Sequence, residues 1–157
     1  MRRLRTLLLA ACVSAFTIAA QEQDGSAATP VQQLFNAMAS HNAEAAKALF
    51  TPGATLTSLR ADGTVSTTPA EQFAEHIAVA KDALLERTWK PKIMEQGNIA
   101  SYWAEYDFHL NDKFHHCGID AVLLLKTPAG WKISSISYTS VTQGCSPSPL
   151  GPPTASK

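Results

Sequence analysis

HHCGIDAVLLLKTPAGWKISSISYTSV, His115 to Val141, is the stretch on which the fold turns. Two runs rich in β-branched and aromatic residues flank Pro128-Ala129-Gly130, a turn sequence, and together they read as an antiparallel hairpin. Two similar runs precede it: LLERTWKPKIME (84–95) and NIASYWAEYDFHL (98–110). Turns at Gln96-Gly97 and Asn111-Asp112 join these to a third run beginning at Lys113, so the C-terminal half predicts a four-strand meander.

The N-terminal half has a different period. Val31, Leu34, Phe35 and Met38 recur at helical spacing after Thr29-Pro30, a threonine cap followed by a proline suited to the first turn. AEAAKALF (43–50) predicts a second, short helix. ATLTSLR and VSTT, either side of Asp62-Gly63, predict a hairpin. Thr68-Pro69 then opens a third helix whose apolar face is Phe73, Ile77 and Ala80. Helices followed by a meander give an α+β class, with three N-terminal helices packed on one face of a mostly antiparallel sheet.

Alternation along the strands divides the meander into two faces. With simple two-residue turns, one face holds Leu85, Trp89, Ile93, Tyr102, Ala104, Tyr106, Phe108, Cys117, Ile119, Ala121, Leu123, Leu125, Ile136 and Tyr138. It is apolar and is expected against the helices. The other holds Glu86, Thr88, Lys90, Lys92, Trp103, Glu105, Asp107, His116, Asp120, Ser135, Ser137 and Thr139. In that register Tyr106 faces Cys117, Ala104 faces Ile119, Asp107 faces His116, and Arg87 sits opposite Tyr106.

Phe114 to Asp120, FHHCGID, concentrates chemistry-bearing residues. Zinc needs ligands converging within about 2.0–2.3 Å of one point. His115, His116 and Cys117, as strand neighbours, are expected to point to alternating faces, so no metal site is expected. The same register brings Cys117 near Ser140. Cys145 lies five residues on, beyond Gly144, and a Cys117–Cys145 disulfide is expected, with two separate cysteines as the alternative.

The chain of 157 residues opens with Arg2, Arg3 and Arg5 before the apolar LLLAACVSAFTIAA and the polar QEQDGS. Residues 1–20 read as a signal peptide, too short an apolar run for a spanning helix of ~20 residues. LAAC, Leu9 to Cys12, also admits a lipoprotein reading with Cys12 as the lipidated terminus, although more apolar sequence follows it. Either way, export to a periplasmic or extracellular space is expected. Residues 21–28 read as a linker, 29–145 as the domain and 146–157 as a disordered proline-rich tail. Without residues 1–20 the chain keeps 10 basic residues against 13 acidic ones, a net charge of −3 with no basic patch. Nucleic acid is therefore a poor partner.

LLERTW (84–89), ASYWAEYDFHL (100–110), HCGIDAVLLLKT (116–127), GWKISSISYT (130–139) and GC (144–145) resemble a group of small bacterial proteins in the nuclear transport factor 2-like superfamily, the part named polyketide cyclase-like or lumazine-binding. The resemblance spans Thr29 to Cys145 and is most specific in the HCG-x-D and GWKI elements. Val122 departs from the group, where an aromatic residue or leucine often follows Asp-Ala. The resemblance implies a cone-shaped α+β barrel whose bent sheet wraps around three helices and leaves a cavity. It implies homodimers through the outer sheet face. It transfers no reaction, since the superfamily holds isomerases, hydrolases, cyclases, dehydratases and proteins without catalysis.

Asp120 and His116 are the best candidates for catalytic acid–base residues, as a carboxylate beside an imidazole. A surface or interface role competes, because parity places them away from the helices unless a bulge at Gly118 turns Asp120 inward. Tyr106, Tyr138 and Tyr102 are candidate ligand contacts on the apolar wall, joined by Arg87 as an anion handle and by Trp103. His76 flanks the apolar stripe of the third helix and reads as a bystander. There is no nucleophile elbow, phosphate loop or HExxH, and no cofactor is expected. Three functions remain open: binding of a small hydrophobic molecule in the cavity, a cofactor-free isomerase, dehydratase or hydrolase using a cavity carboxylate and a polarising tyrosine, and a dimerisation or interaction module.

Overall fold

Asn111 and Asp112 both adopt positive φ, 51° and 61°, the backbone of a tight hairpin turn that these two residue types tolerate. Asn111 also accepts from Ala83 N at 2.9 Å and donates to Asp82 Oδ1 at 2.6 Å, tying the turn to the start of the preceding strand. The computed structural model containing it describes residues 25–153. The expected signal peptide at residues 1–20, with Cys12, lies outside the described residues, as do positions 21–24 of the expected linker and the last four residues of the chain.

The element order is α1 (Thr29–Ala39), α2 (Ala43–Lys47), β1 (Phe50–Arg60), β2 (Val65–Pro69), α3 (Ala70–Val79), β3 (Leu84–Gln96), β4 (Ile99–Leu110), β5 (Lys113–Thr127) and β6 (Gly130–Ser140). Pro30 opens α1 in its first turn, without a side-chain cap from Thr29. Asn42 caps α2, accepting from Ala45 N at 2.9 Å. The six strands form one unclosed sheet in the order β2-β1-β6-β5-β4-β3. All pairings are antiparallel except β1 with β6, which is parallel and makes the sheet mixed. This is the expected α+β architecture, with the helices on the inner face.

The core forms where α1 lays Val31, Leu34, Phe35 and Met38 against Tyr102, Ala104, Val122, Leu124, Ile133 and Ile136. Leu124 and Ile133 are fully enclosed at 0% exposure. At roughly 1.5–3 kcal/mol for each large side chain taken from water, this layer dominates stability.

The two faces are not those that simple alternation gives. β4 follows the expected parity, but its neighbours slip by one residue. Between the pairs His109↔Phe114 and Phe108↔His116, β5 carries His115 as an extra residue. Between Trp89↔Glu105 and Lys92↔Trp103, β3 carries one residue more than β4, at Lys90-Pro91. Lys90 has φ 47° and Pro91 has no N–H for the ladder, which is why the slip falls there. Between Leu123↔Ser135 and Leu124↔Ile133, Ser134 is extra on β6.

Tyr106 therefore pairs with Gly118, Ala104 with Asp120, Asp107 with Cys117 and Phe108 with His116. Arg87 pairs with Asp107, on the outer face. Cys117, Ile119, Ala121, Leu123 and Leu125, expected inside, face outward together with Leu85 and Trp89. Glu86, Thr88, His116 and Asp120, expected outside, face the helices. On β5 the shift comes from the bulge at His115, three residues before Gly118, and on β3 from the extra residue at Lys90-Pro91. The expectation that His115 and His116 point to opposite faces also fails, because a bulge places both rings on one side. Their Nδ1 atoms are 2.7 Å apart.

Cys117 and Cys145 form a disulfide with Cα atoms 6.1 Å apart, 28 positions apart in sequence. Cys117 also exchanges two backbone hydrogen bonds with Val141, at 2.9 and 3.0 Å, so the bond fastens the chain end to β5. Changing both cysteines to serine is expected to lower stability by about 3 kcal/mol in chemical denaturation, as would reduction of the native chain. Equal midpoints with and without reductant would show that the link does not constrain the unfolded chain. Among the described residues no helix is long and apolar enough to cross a membrane.

Candidate functional site

A cavity of about 180 Å³ lies between the helices and the inner sheet face. Helix α1 supplies Val31, Leu34, Phe35 and Met38 to its wall, α3 supplies Phe73 and β1 supplies Leu56. These walls are apolar because α1 and the sheet centre share one hydrophobic layer. The polar groups all come from the strand half: Glu86 on β3, Tyr106 on β4, His116 and Asp120 on β5 and Tyr138 on β6. They meet there because of the bulges described above.

Asp120 and Glu86 form the chemical centre. Their carboxyls act directly on each other's protonation, and a hydrogen bond between two carboxyls requires a proton on one of them. Asp120 is 4% exposed. Its Oδ2 has no hydrogen-bond partner among the described residues. Desolvation by burial pushes the Asp120 carboxyl up to about 7, partly offset by the hydrogen bond from Glu86. Glu86 is held well above the ordinary carboxylate range, first by desolvation and then by the charge of Asp120. As a residue Glu86 is partly accessible, being on the edge strand, while its carboxyl turns inward to the cavity. The pair is thus a carboxylic acid sharing its proton with a carboxylate near neutrality, the arrangement that two adjacent buried acids adopt.

Two of the three tyrosines already have partners. Tyr106 Oη donates to Thr139 O at 2.8 Å. Tyr102 Oη and Thr88 Oγ1 are 2.7 Å apart. Tyr138 lies in register beside Ser58 of β1, whose hydroxyl partly offsets the effect of burial on the phenol. Desolvation raises all three phenols, so they remain protonated at neutral pH. Tyr106 and Tyr138 line the cavity, whereas Tyr102 is buried in the wall behind it.

His116 reaches the cavity beside Tyr106 and Phe108, with ring centroids 5.6 and 5.0 Å away. Burial, then the neighbouring His115, lowers its pKa to about 4, so it is neutral. One ring of the His115–His116 contact donates through Nδ1 and the other accepts. His115 is exposed, so the pair runs from solvent to the cavity wall.

Other candidates lie elsewhere. Arg87 is on the outer face, where Nε and Nη2 grip Asp107 at 2.8 and 2.6 Å and Nη1 donates to Gly151 O at 3.0 Å. It is a structural clamp that also holds the tail. Burial alone would raise Asp107, but the hydrogen bonds from Arg87 and His109 outweigh it and hold the carboxyl below its ordinary value. Trp103, 52% exposed, sits on the outer face beside a shallow depression and not in the cavity. His76 is exposed on α3. Among the described residues no group of three or more His, Cys, Asp or Glu could hold a metal ion.

Sequence reasoning missed Glu86, assigning it to the outer face. The available signal was Pro91, which inside a strand run marks an edge strand or a bulge and so warns that parity upstream of it is unsafe.

No family profile matches the chain, and no curated protein matches it. Solved structures do. A nuclear transport factor 2-like protein of unknown function from Shewanella baltica aligns with TM-score 0.57 at 15% identity, covering 74% of this chain and 92% of its own. A protein of that superfamily from Salmonella enterica gives 0.57 at 17% identity, covering 74% and 89%. A Streptomyces avermitilis protein described as a candidate dehydratase of the same family gives 0.58 at 15% identity, covering 72% and 91%. At such identities the agreement is one of backbone arrangement: the chain has the nuclear transport factor 2-like fold.

Proposed function

We propose that the chain is an exported member of the nuclear transport factor 2-like superfamily, in or near its polyketide cyclase-like subgroup, that binds a small, largely apolar molecule in the cavity. The observation carrying this reading is a buried carboxyl pair, with one oxygen unpartnered, inside an otherwise apolar chamber. Burying two acids costs stability, and a site that keeps them is organised around what they contact. The volume suits a six-carbon ring with a short substituent, given that an engineered cavity of about 150 Å³ holds benzene. Export is supported by the Arg-led apolar leader and by the disulfide, which persists in an oxidising compartment. Native mass spectrometry and a thermal-shift screen of hydrophobic metabolites are expected to reveal a carried ligand or stabilisation. Neither appearing in a broad screen would sink the reading.

A second reading is an enzyme without a cofactor. Asp120 opens into the cavity, and its pKa of about 7 suits a general base at neutral pH. The Tyr106 hydroxyl is already committed to Thr139 O, so Glu86 is the acid in this reading and, of the tyrosines lining the cavity, Tyr138 is left to polarise the substrate. The dehydratase description of the Streptomyces avermitilis neighbour fits such chemistry.

A homodimer through the outer sheet face belongs to the same proposal. Trp103, Met94 and Leu123 are exposed there by 52%, 74% and 36%, an apolar patch of the kind that marks an interface. Light scattering is expected to give a dimer mass for the native chain and a monomer for Trp103→Glu. A native chain that stays monomeric at high micromolar concentration would exclude a dimer built there.

A further inference from the structure

The cavity holds more negative character than its walls neutralise. Asp120 and Glu86 share one proton, leaving one charge on the pair when Asp120 ionises. Among the described residues that line the cavity there is no Lys or Arg. The polar groups facing the pair are Tyr106 and Tyr102 from β4, His116 from β5 and Tyr138 from β6, while the charge of Asp107 on β4 acts on Glu86 from the outer face and adds to the repulsion; the residues from α1, α3 and β1 that line the cavity do not titrate. The phenols are protonated, Tyr106 and Tyr102 are hydrogen-bonded within the protein, and His116 is neutral. Arg60 acts on Tyr138 and is not among the groups that perturb the carboxyls.

Among the described residues Asp120 Oδ2 accepts from no N–H or hydroxyl donor, and no Lys or Arg lining the cavity offers a counter-charge. The rest of the chamber is made of aromatic and aliphatic side chains, including Phe35, Phe73 and Phe108. Ring faces attract cations, most strongly where water is excluded. A ligand bringing its own positive charge would fill every vacancy at once: a donor for Oδ2, a counter-ion for the pair and a cation among rings.

Resting on the ligand-binding reading above, we propose that the cavity selects a small organic cation, a primary or secondary ammonium on a compact apolar body, whose N–H donates to Asp120 Oδ2. A carbonyl or ether ligand offers only acceptors and would meet the pair through the shared proton alone. An alcohol supplies the donor and leaves the charge uncompensated. The ammonium does both, and near neutrality the displaced proton leaves Asp120 readily.

Three probes of one shape separate these cases: benzylamine, benzyl alcohol and toluene, titrated calorimetrically into the purified chain in buffers of differing ionisation enthalpy. At pH 8 benzylammonium is expected to bind at least tenfold more tightly than benzyl alcohol, and toluene more weakly than either. Near pH 7 its binding releases protons, and between pH 8 and pH 5.5 its affinity falls by about tenfold or more as Asp120 becomes protonated. Asp120→Asn abolishes the preference for the amine. Equal affinity for amine and alcohol, or amine binding that does not change with pH, overturns the cation assignment while leaving the cavity reading intact. Failure of all three probes to bind overturns the cavity reading as well.

Discussion

Gly118→Ala is expected to cost the domain about 3 kcal/mol or more and to leave much of the expressed chain unfolded. A methyl carbon built at this position falls 1.9 Å from Thr139 O and 2.7 Å from Thr139 C. Both are backbone atoms of the paired strand β6 and cannot rotate away. That carbonyl also accepts the Tyr106 hydroxyl at 2.8 Å, and Thr139 Oγ1 accepts from Ile119 N at 2.9 Å. Relief of the clash therefore breaks two further hydrogen bonds beside a buried tyrosine. The constraint is one of space. Glycine lets the β6 backbone cross close over β5 while the Tyr106 ring fills the opening on the inner face. Urea denaturation of Gly118→Ala beside Gly97→Ala separates this from a general cost of losing glycine. Gly97, in a turn at φ 58°, has open space around it, so its substitution strains only the local backbone. Equal midpoints for the two variants would refute the close approach at Gly118.

How much of this was legible in the sequence follows from what each signal encodes. Strand lengths and turns were readable because turn chemistry is local: Asn111-Asp112 tolerates positive φ, and Lys113–Thr127 is a strand with the expected limits. Facing was not readable in the same way. AVLLL, Ala121 to Leu125, is apolar throughout, so it fits the core in either parity. The inner face was therefore fixed by extrapolation from turns, and each added residue at His115, Lys90-Pro91 or Ser134 inverts everything beyond it. Tyr106 and Tyr138 reached the cavity wall because β4 and the end of β6 kept their parity. Asp120 and His116 were named for their chemistry and placed on the wrong side. Cys117 could be paired with Cys145 because proximity to the chain end survives a slip of one residue, whereas facing does not.

Asp120→Asn is expected to stabilise the chain at pH 8 while doing little at pH 4. The Asp120 carboxyl is lifted from 3.8 to about 7 on folding, first by desolvation. Between those values the unfolded chain has released this proton and the folded chain still holds it, so stability falls as pH rises through the interval. A shift of that size corresponds to about 4 kcal/mol withheld at pH 8, or roughly 10 °C in melting temperature for a domain of this size. Glu86, also raised, acts in the same direction and is relieved when the charge of Asp120 is removed. Two groups oppose the trend in the native chain: His116, lowered by burial, favours folding as pH rises from about 4 towards its ordinary value, and Asp107, lowered by its Arg87 clamp, favours folding above the acid range. Both persist in the variant, so the difference between the two melting curves across pH isolates the carboxyl pair. Near pH 4 the variant is expected to match the native chain or lie slightly below it, since the new amide leaves an N–H without a partner. Parallel curves from pH 4 to pH 8 would mean that Asp120 is already compensated in the native chain. Divergence with the predicted sign would show a fold holding a costly acid pair in its interior, and a ligand that meets those carboxyls recovers part of that cost on binding, so it should raise the native melting temperature most at high pH and that of Asp120→Asn least.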